Sequence, residues 1–363
     1  MVIHILIGTR PNFIKVTRFK EVAMTYPNID IKIIHTGQHY DEKMADVFFR
    51  QFNLEPDYFL NIPQVSANKQ IAEIMIRLED LMNQIGKPDI LLVPGDVNST
   101  LAGALTANKM GIKLGHIEAG LRSFDNSMPE EHNRVLTDKL SDFYFVTEQS
   151  GLDILKKEGV EDKRIAFSGN TMIDTLVKFS KEIESSTILS DLQIENTKYI
   201  LMTMHRPATV DDKVGLQKLT QLIIDVSINY KVVFPIHPRT LKRLEEFDMK
   251  TNFLANKNLI LTEPLDYFSF QKLIKYTQFI LTDSGGIQEE STFVGIPCLT
   301  LRPNTERPIT ITEGTNTLVT FDVELIKSYI AQIETGIYKK GKTPKAWDGK
   351  STERILEFII KEV

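Results

Sequence analysis

Three carboxylates and a histidine sit where short apolar runs end. Asp96 follows DILLVPG, Glu118 and Glu130 lie within GHIEAGLRSFDNSMPEEHNR (115–134), and His205 follows YILMTM. Such a set can act as base, acid and orienting group in proton transfer if burial and mutual repulsion separate the pKa values. A lone Asp after Gly is commonly a helix cap or turn residue, but carboxylates gathered at several strand ends are harder to explain that way. Arg122, Glu131 and Arg134, in the same stretch, read as supporting charges. The spacings among His35, His39, His116, His132, His205 and His237 match no standard zinc motif, so no metal is expected.

A second group of residues suits an anion. GTRPNFIK (8–15) ends the first apolar run without the further glycines of a dinucleotide fingerprint, and it is not a P-loop. Arg10 and Lys15 fall where a helix begins, and with its dipole they suit an anion; an arginine solvated at a strand end would read the same. LTDSGGIQEE (281–290) is more specific. Ser284 and the paired Gly285 and Gly286 permit close backbone approach, and the helix that follows opens with free N–H groups. Glu290, four residues beyond Gly286, is positioned to accept hydrogen bonds from a ribose diol. A nucleoside diphosphate fits this layout. A Ser N-cap with an acidic first turn would account for Ser284 and Glu289 but not for two glycines. LRPNTERP (301–308) adds Arg302 and Arg307, whose guanidinium groups can hold diphosphate oxygens bidentately.

These groups need a scaffold of strand ends. The runs at 2–8, 29–37, 89–96, 113–120, 142–148 and 164–170 read as β-rich, apolar strands separated by helical patterns. In 69–86, Ile71, Ile74, Leu78, Leu81 and Ile85 form one stripe. After a polar stretch the alternation restarts at 199–205, 231–237, 258–264, 279–286 and 297–301. Near-continuous apolar strands alternating with helices predict parallel sheets covered on both faces, with ligands beyond the C-terminal strand ends. The expected class is α/β, two doubly wound Rossmann-like domains: 1–170, joined by the terminal helix 350–363, and 171–349.

The length of 363 residues suits two domains. With 42% apolar and 25% charged residues and a net charge of -5, the chain is ordinary globular protein, without support for a nucleic-acid role. One cysteine, Cys298, excludes an internal disulfide. No run approaches about 18 apolar residues, and the N-terminus lacks the pattern of a secretion signal. A cytoplasmic protein without membrane insertion is expected.

Taken together, GTRPNFIK, HTGQH (35–39), PGD, HIEAGLRS, MPEEHNR, SGNTMID (168–174), MHRP, LTDSGGIQEE and TERP closely resemble the non-hydrolysing UDP-N-acetylglucosamine 2-epimerase family, in the same order over most of the chain. The resemblance implies a GT-B-like pair of domains facing a central cleft, a homodimer, and no cofactor. It implies that Arg10, Ser284, Gly285, Gly286, Glu290 and Arg307 hold UDP, with Phe270 near the base and Lys15 on the diphosphate side. Asp96, Glu118, Glu130 and His205 match its catalytic group. The implied reaction inverts C2 of UDP-GlcNAc through loss of UDP to 2-acetamidoglucal and re-addition. Two departures stand out. The family commonly continues His-Arg-x-Glu-Asn where this chain has His205, Arg206, Pro207, Ala208 and Thr209. Gln38 and His237 match parts of an allosteric UDP-GlcNAc site found in bacterial members, whereas Asp41 and the ending His237-Pro238-Arg239 do not.

Overall fold

The computed structural model describes residues 1–37 and 49–363; Gln38, expected at an allosteric site, lies outside the described residues. Two compact units are present, Met1–Lys178 with Lys345–Val363, and Phe179–Pro344. Each is a parallel sheet flanked by helices, the α/β doubly wound class expected from the sequence.

In the first unit the strands are β1 (Val2–Ile7), β2 (Asp30–His35), β3 (Tyr58–Phe59), β4 (Ile90–Pro94), β5 (Lys113–Ile117), β6 (Phe143–Val146) and β7 (Ile165–Phe167). Their order is β3-β2-β1-β4-β5-β6-β7, all parallel. Central strands are buried on both faces: every residue of β4 is buried, as a parallel sheet requires. The helix Ala67–Ile85 covers one face through Ile74, Leu78 and Met82, while Ile85 lies at its exposed end.

The second unit contains β8 (Tyr199–Thr203), β9 (Lys231–Pro235), β10 (Leu259–Thr262), β11 (Ile280–Thr282), β12 (Cys298–Leu301) and β13 (Asn316–Val319), in the order β10-β9-β8-β11-β12-β13. Cys298 is a buried core residue of β12. β3 and β13 are short edge strands that the apolar pattern does not reveal.

The helix Thr171–Lys178, assigned from the sequence to the second domain, packs in the first. Its Thr175 hydroxyl bonds the Ile14 carbonyl (2.5 Å), and the buried Asp174 carboxylate accepts from Ser351 N (2.9 Å), Thr352 N (2.6 Å) and the Thr352 hydroxyl (2.7 Å). The two backbone bonds satisfy free N–H groups at the start of the helix Ser351–Glu362, whose Phe358 ring packs edge-on against Phe143 and Phe145. Trp347 is buried and donates to the Thr147 carbonyl at 3.0 Å. Local polarity suggested a boundary at 170; long-range capping moves it past Lys178.

Candidate active site

Each sheet reverses its winding direction once, between β1 and β4 and between β8 and β11. A crevice opens beyond the C-terminal strand ends at such a switch point, and ligands of doubly wound folds bind there. The candidate residues gather at these two places.

At the first switch point, β1 runs through Gly8 into the helix Arg10–Ile14, which has a Pro in its first turn. The Asn12 side chain ties this turn to β4, donating to the Pro94 carbonyl at 3.0 Å and accepting from the Thr9 hydroxyl at 3.0 Å. Arg10 is exposed. Lys15 is buried, and its Nζ lies 2.7 Å from Glu118 Oε2. The pair needs Gly95 between the strand ends, because a Cβ there would meet Lys15 Nζ at 3.0 Å and Asn12 Nδ2 at 3.2 Å.

Asp96 follows Gly95 and is no helix cap, since the next helix, Asn98–Met110, has Val97 at its N-cap. Its carboxylate pairs with the buried Arg134, which also pairs with Glu131. Glu131 in turn accepts from Ser123 N (2.8 Å), the Ser123 hydroxyl (2.8 Å) and Phe124 N (2.9 Å). Burial would raise this carboxyl, but those bonds and Arg134 hold it below the usual glutamate range. Glu131 and Arg134 are thus structural, staking the loop after β5 to Asp96. Glu130, its sequence neighbour on the helix Pro129–Leu140, is exposed. Glu118 adopts φ +72°, a left-handed conformation uncommon for a residue with a side chain.

At the second switch point, Asp283, just past β11, is fully buried and receives two backbone N–H groups of the loop after β8: His205 at 3.0 Å and Arg206 at 2.8 Å. The His205 ring also meets it, Nδ1 to Oδ1 at 3.2 Å. Burial opposes ionisation of Asp283, but His205 and the backbone donors hold its carboxyl below the usual range. Asp283 therefore orients His205, a pairing across 78 positions that no local pattern reveals. His237 stacks near His205, ring centroids 5.5 Å apart, and caps the helix Pro238–Glu246 through Nδ1.

The helix Ile287–Val294 starts at Gly286 with no side-chain cap, so Ser284 is not its cap and precedes the turn. Gly285 packs on a charge cluster: a Cβ there would lie 3.0 Å from Glu306 Oε1 and 3.6 Å from a guanidinium nitrogen of each of Arg302 and Arg307. Arg307 pairs with Glu289 (2.5 Å) and Glu306, and Arg302 with Glu306 (3.2 Å), all buried. These carboxylates hold both guanidinium groups in place behind the Ser-Gly-Gly turn. Glu290 is buried; that burial, with Glu289 beside it, pushes its carboxyl up to about 8. At neutral pH it is a protonated acid that can donate as well as accept. Phe270 packs in the apolar cluster next to the helix carrying Glu290.

A family model described as UDP-N-acetylglucosamine 2-epimerase matches residues 22–360. A UDP-N-acetylglucosamine 2-epimerase of Methanocaldococcus jannaschii is 40% identical over 366 residues, 99% of each chain. A UDP-2,3-diacetamido-2,3-dideoxy-D-glucuronate 2-epimerase of Pseudomonas aeruginosa is 36% identical over 370 residues, covering 99% of this chain and all of that one (100%). The crystal structure of the M. jannaschii UDP-GlcNAc 2-epimerase in complex with UDP-GlcNAc and UDP matches with a TM-score of 0.89 at 40% identity, covering 99% of this chain and 100% of that one. Among the described residues no helix is long and apolar enough to cross a membrane.

Proposed function

Because the chain belongs to the UDP-N-acetylglucosamine 2-epimerase family, we propose that it interconverts UDP-N-acetylglucosamine and UDP-N-acetylmannosamine. The C2 hydrogen of the substrate is not adjacent to a carbonyl and is hardly acidic, so direct removal is difficult. Elimination avoids the difficulty. The C1–O bond breaks with its electron pair passing to UDP, the C2 proton passes to a carboxylate, and a C1=C2 double bond remains in 2-acetamidoglucal. UDP then re-adds at C1 while a proton arrives on the other face of C2.

The residues divide accordingly. Arg10, Arg307 and the Gly286 helix start stabilise the departing diphosphate; Ser284, Gly285, Gly286, Glu290 and Phe270 hold the rest of UDP. Asp96, Glu118 and Glu130 form the proton-transfer set, and His205 steadies the diphosphate or the oxygen at C1. The observation that carries this reading is the pair of half-buried or buried carboxylates on adjacent strand ends, Asp96 and Glu118, each with its own fixed cation, Arg134 and Lys15. A glycosyltransferase would use the same nucleotide grip but has no need of that pair. The enzyme works as a cytoplasmic homodimer in this reading, on the resemblance to the family.

Incubation with UDP-GlcNAc in D2O, followed by NMR, tests the proposal. Formation of UDP-ManNAc with deuterium at C2 is expected. Free ManNAc would point to a hydrolysing relative, and turnover only of a 2,3-diacetamido uronic acid to the P. aeruginosa activity. Sugar transfer without C2 exchange would replace the epimerase with a transferase. Asp96→Asn and Glu118→Gln should lower turnover with UDP binding nearly intact; unchanged turnover in either removes that residue from the set.

A further inference from the structure

We infer that His116 and Asp138 are positioning residues that lock the turn carrying Glu118 to the peptide carrying Asp96. The inference rests on the proton-transfer roles proposed above.

His116, fully buried in β5, bridges two acceptors. Its Nδ1 lies 2.6 Å from Asp138 Oδ1 and its Nε2 lies 2.8 Å from the Gly95 carbonyl oxygen. A carbonyl can only accept, and Asp138 already accepts from Gly120 N (3.1 Å) and Arg122 Nη1 (2.6 Å). Nε2 must therefore carry a proton and donate to that carbonyl, while Nδ1 and Asp138 Oδ1 share the proton between them. Burial would raise the Asp138 carboxyl, but His116 and Arg122 hold it below the usual aspartate range, consistent with an ionised partner.

The placement of these bonds matters more than their number. Asp138 draws its donors from residues 116, 120 and 122, which straddle Glu118. Glu118 has φ +72°, a conformation that persists in a residue with a side chain only where the surroundings impose it. At its other nitrogen the ring grips the carbonyl of the peptide leading into Asp96, while Gly95 N donates to the Ile117 carbonyl at 3.0 Å. One buried ring thus fixes the ends of β4 and β5 against each other.

Three variants separate positioning from a structural role. His116→Gln can present an amide N–H where Nε2 stood, toward Gly95; His116→Asn can present one where Nδ1 stood, toward Asp138; His116→Ala keeps neither. Turnover is measured per UDP-binding site, so that misfolded enzyme is not counted as slow enzyme. In His116→Ala, kcat should fall on the order of 10²-fold, with KM and the UDP Kd within about threefold of wild type, because displacement of reacting groups by an ångström has that effect. The Gln and Asn variants should each recover part of the loss. An unchanged kcat per site with only a lowered Tm would overturn the inference. Should the variants not fold, 15N NMR of the wild-type histidine ring decides: His116 Nε2 is expected to carry a proton that is hydrogen-bonded and slow to exchange with water, and an Nε2 without that proton overturns the bridge. Failure of wild-type protein to turn over UDP-GlcNAc would count against the proposed reaction instead, since the Nε2 hydrogen bond is read without turnover.

Discussion

Glu290→Gln is expected to stabilise the second domain at alkaline pH and to change little at acid pH. The Glu290 carboxyl keeps its proton up to about 8 in the fold, against an ordinary 4.5. A group whose pKa is raised on folding contributes stability that is fully present below the lower value and lost as pH climbs through the higher one. Between the two values the unfolded chain releases a proton that the folded chain keeps. The interval from 4.5 to about 8 corresponds to about 4–5 kcal/mol. About 1 kcal/mol of this is already lost at pH 5, so the loss between pH 5 and pH 9 is on the order of 4 kcal/mol. Glutamine preserves the shape and cannot ionise, so the variant escapes the loss. Urea unfolding at the two pH values measures it, followed by far-UV circular dichroism because the one tryptophan, Trp347, belongs to the other domain. With a typical dependence of about 2 kcal/mol per M urea, the wild-type midpoint should drop relative to the variant by about 2 M. An equal midpoint difference at pH 5 and pH 9 would refute the claim that Glu290 is buried and protonated.

Two further outcomes follow from the packing. Gly285→Ala should push Glu306 and with it Arg307, which is clamped to that carboxylate; calorimetry should find UDP bound about tenfold more weakly, equivalent to about 1.4 kcal/mol, with little change in Tm. Asp174→Ala leaves Ser351 N and Thr352 N buried without their acceptor and should destabilise the first domain by about 2–5 kcal/mol, read from Trp347 fluorescence on denaturation.

How much could be read in advance differs by length scale. Apolar runs such as DILLVPGD and FILTDSGG announce buried parallel strands because both faces of the sheet are covered, and each ends in the polar residues that the structure puts at a switch point. YF at 58–59 and NTLV at 316–319 escape that pattern. Both are edge strands, one only two residues long and the other opening on Asn316, whose side chain bonds Thr300 at 2.6 Å and Gln288 at 3.0 Å within the domain.

The candidate site was legible as a set of residue types at strand ends and through the family resemblance, but its pairings were not. Lys15 and Glu118 are 103 positions apart, and Asp96 and Arg134 are 38 apart. Sequence alone determined where chemistry would gather, since periodicity, glycines and strand-end polarity are local properties. It could not decide that Lys15 neutralises Glu118, that Glu130 is exposed while Glu131 is buried, or that Asp283 holds His205. Those depend on which strand ends the winding of each sheet makes adjacent, and on low-dielectric surroundings in which a buried charge must find a partner. Only the tertiary structure supplies both.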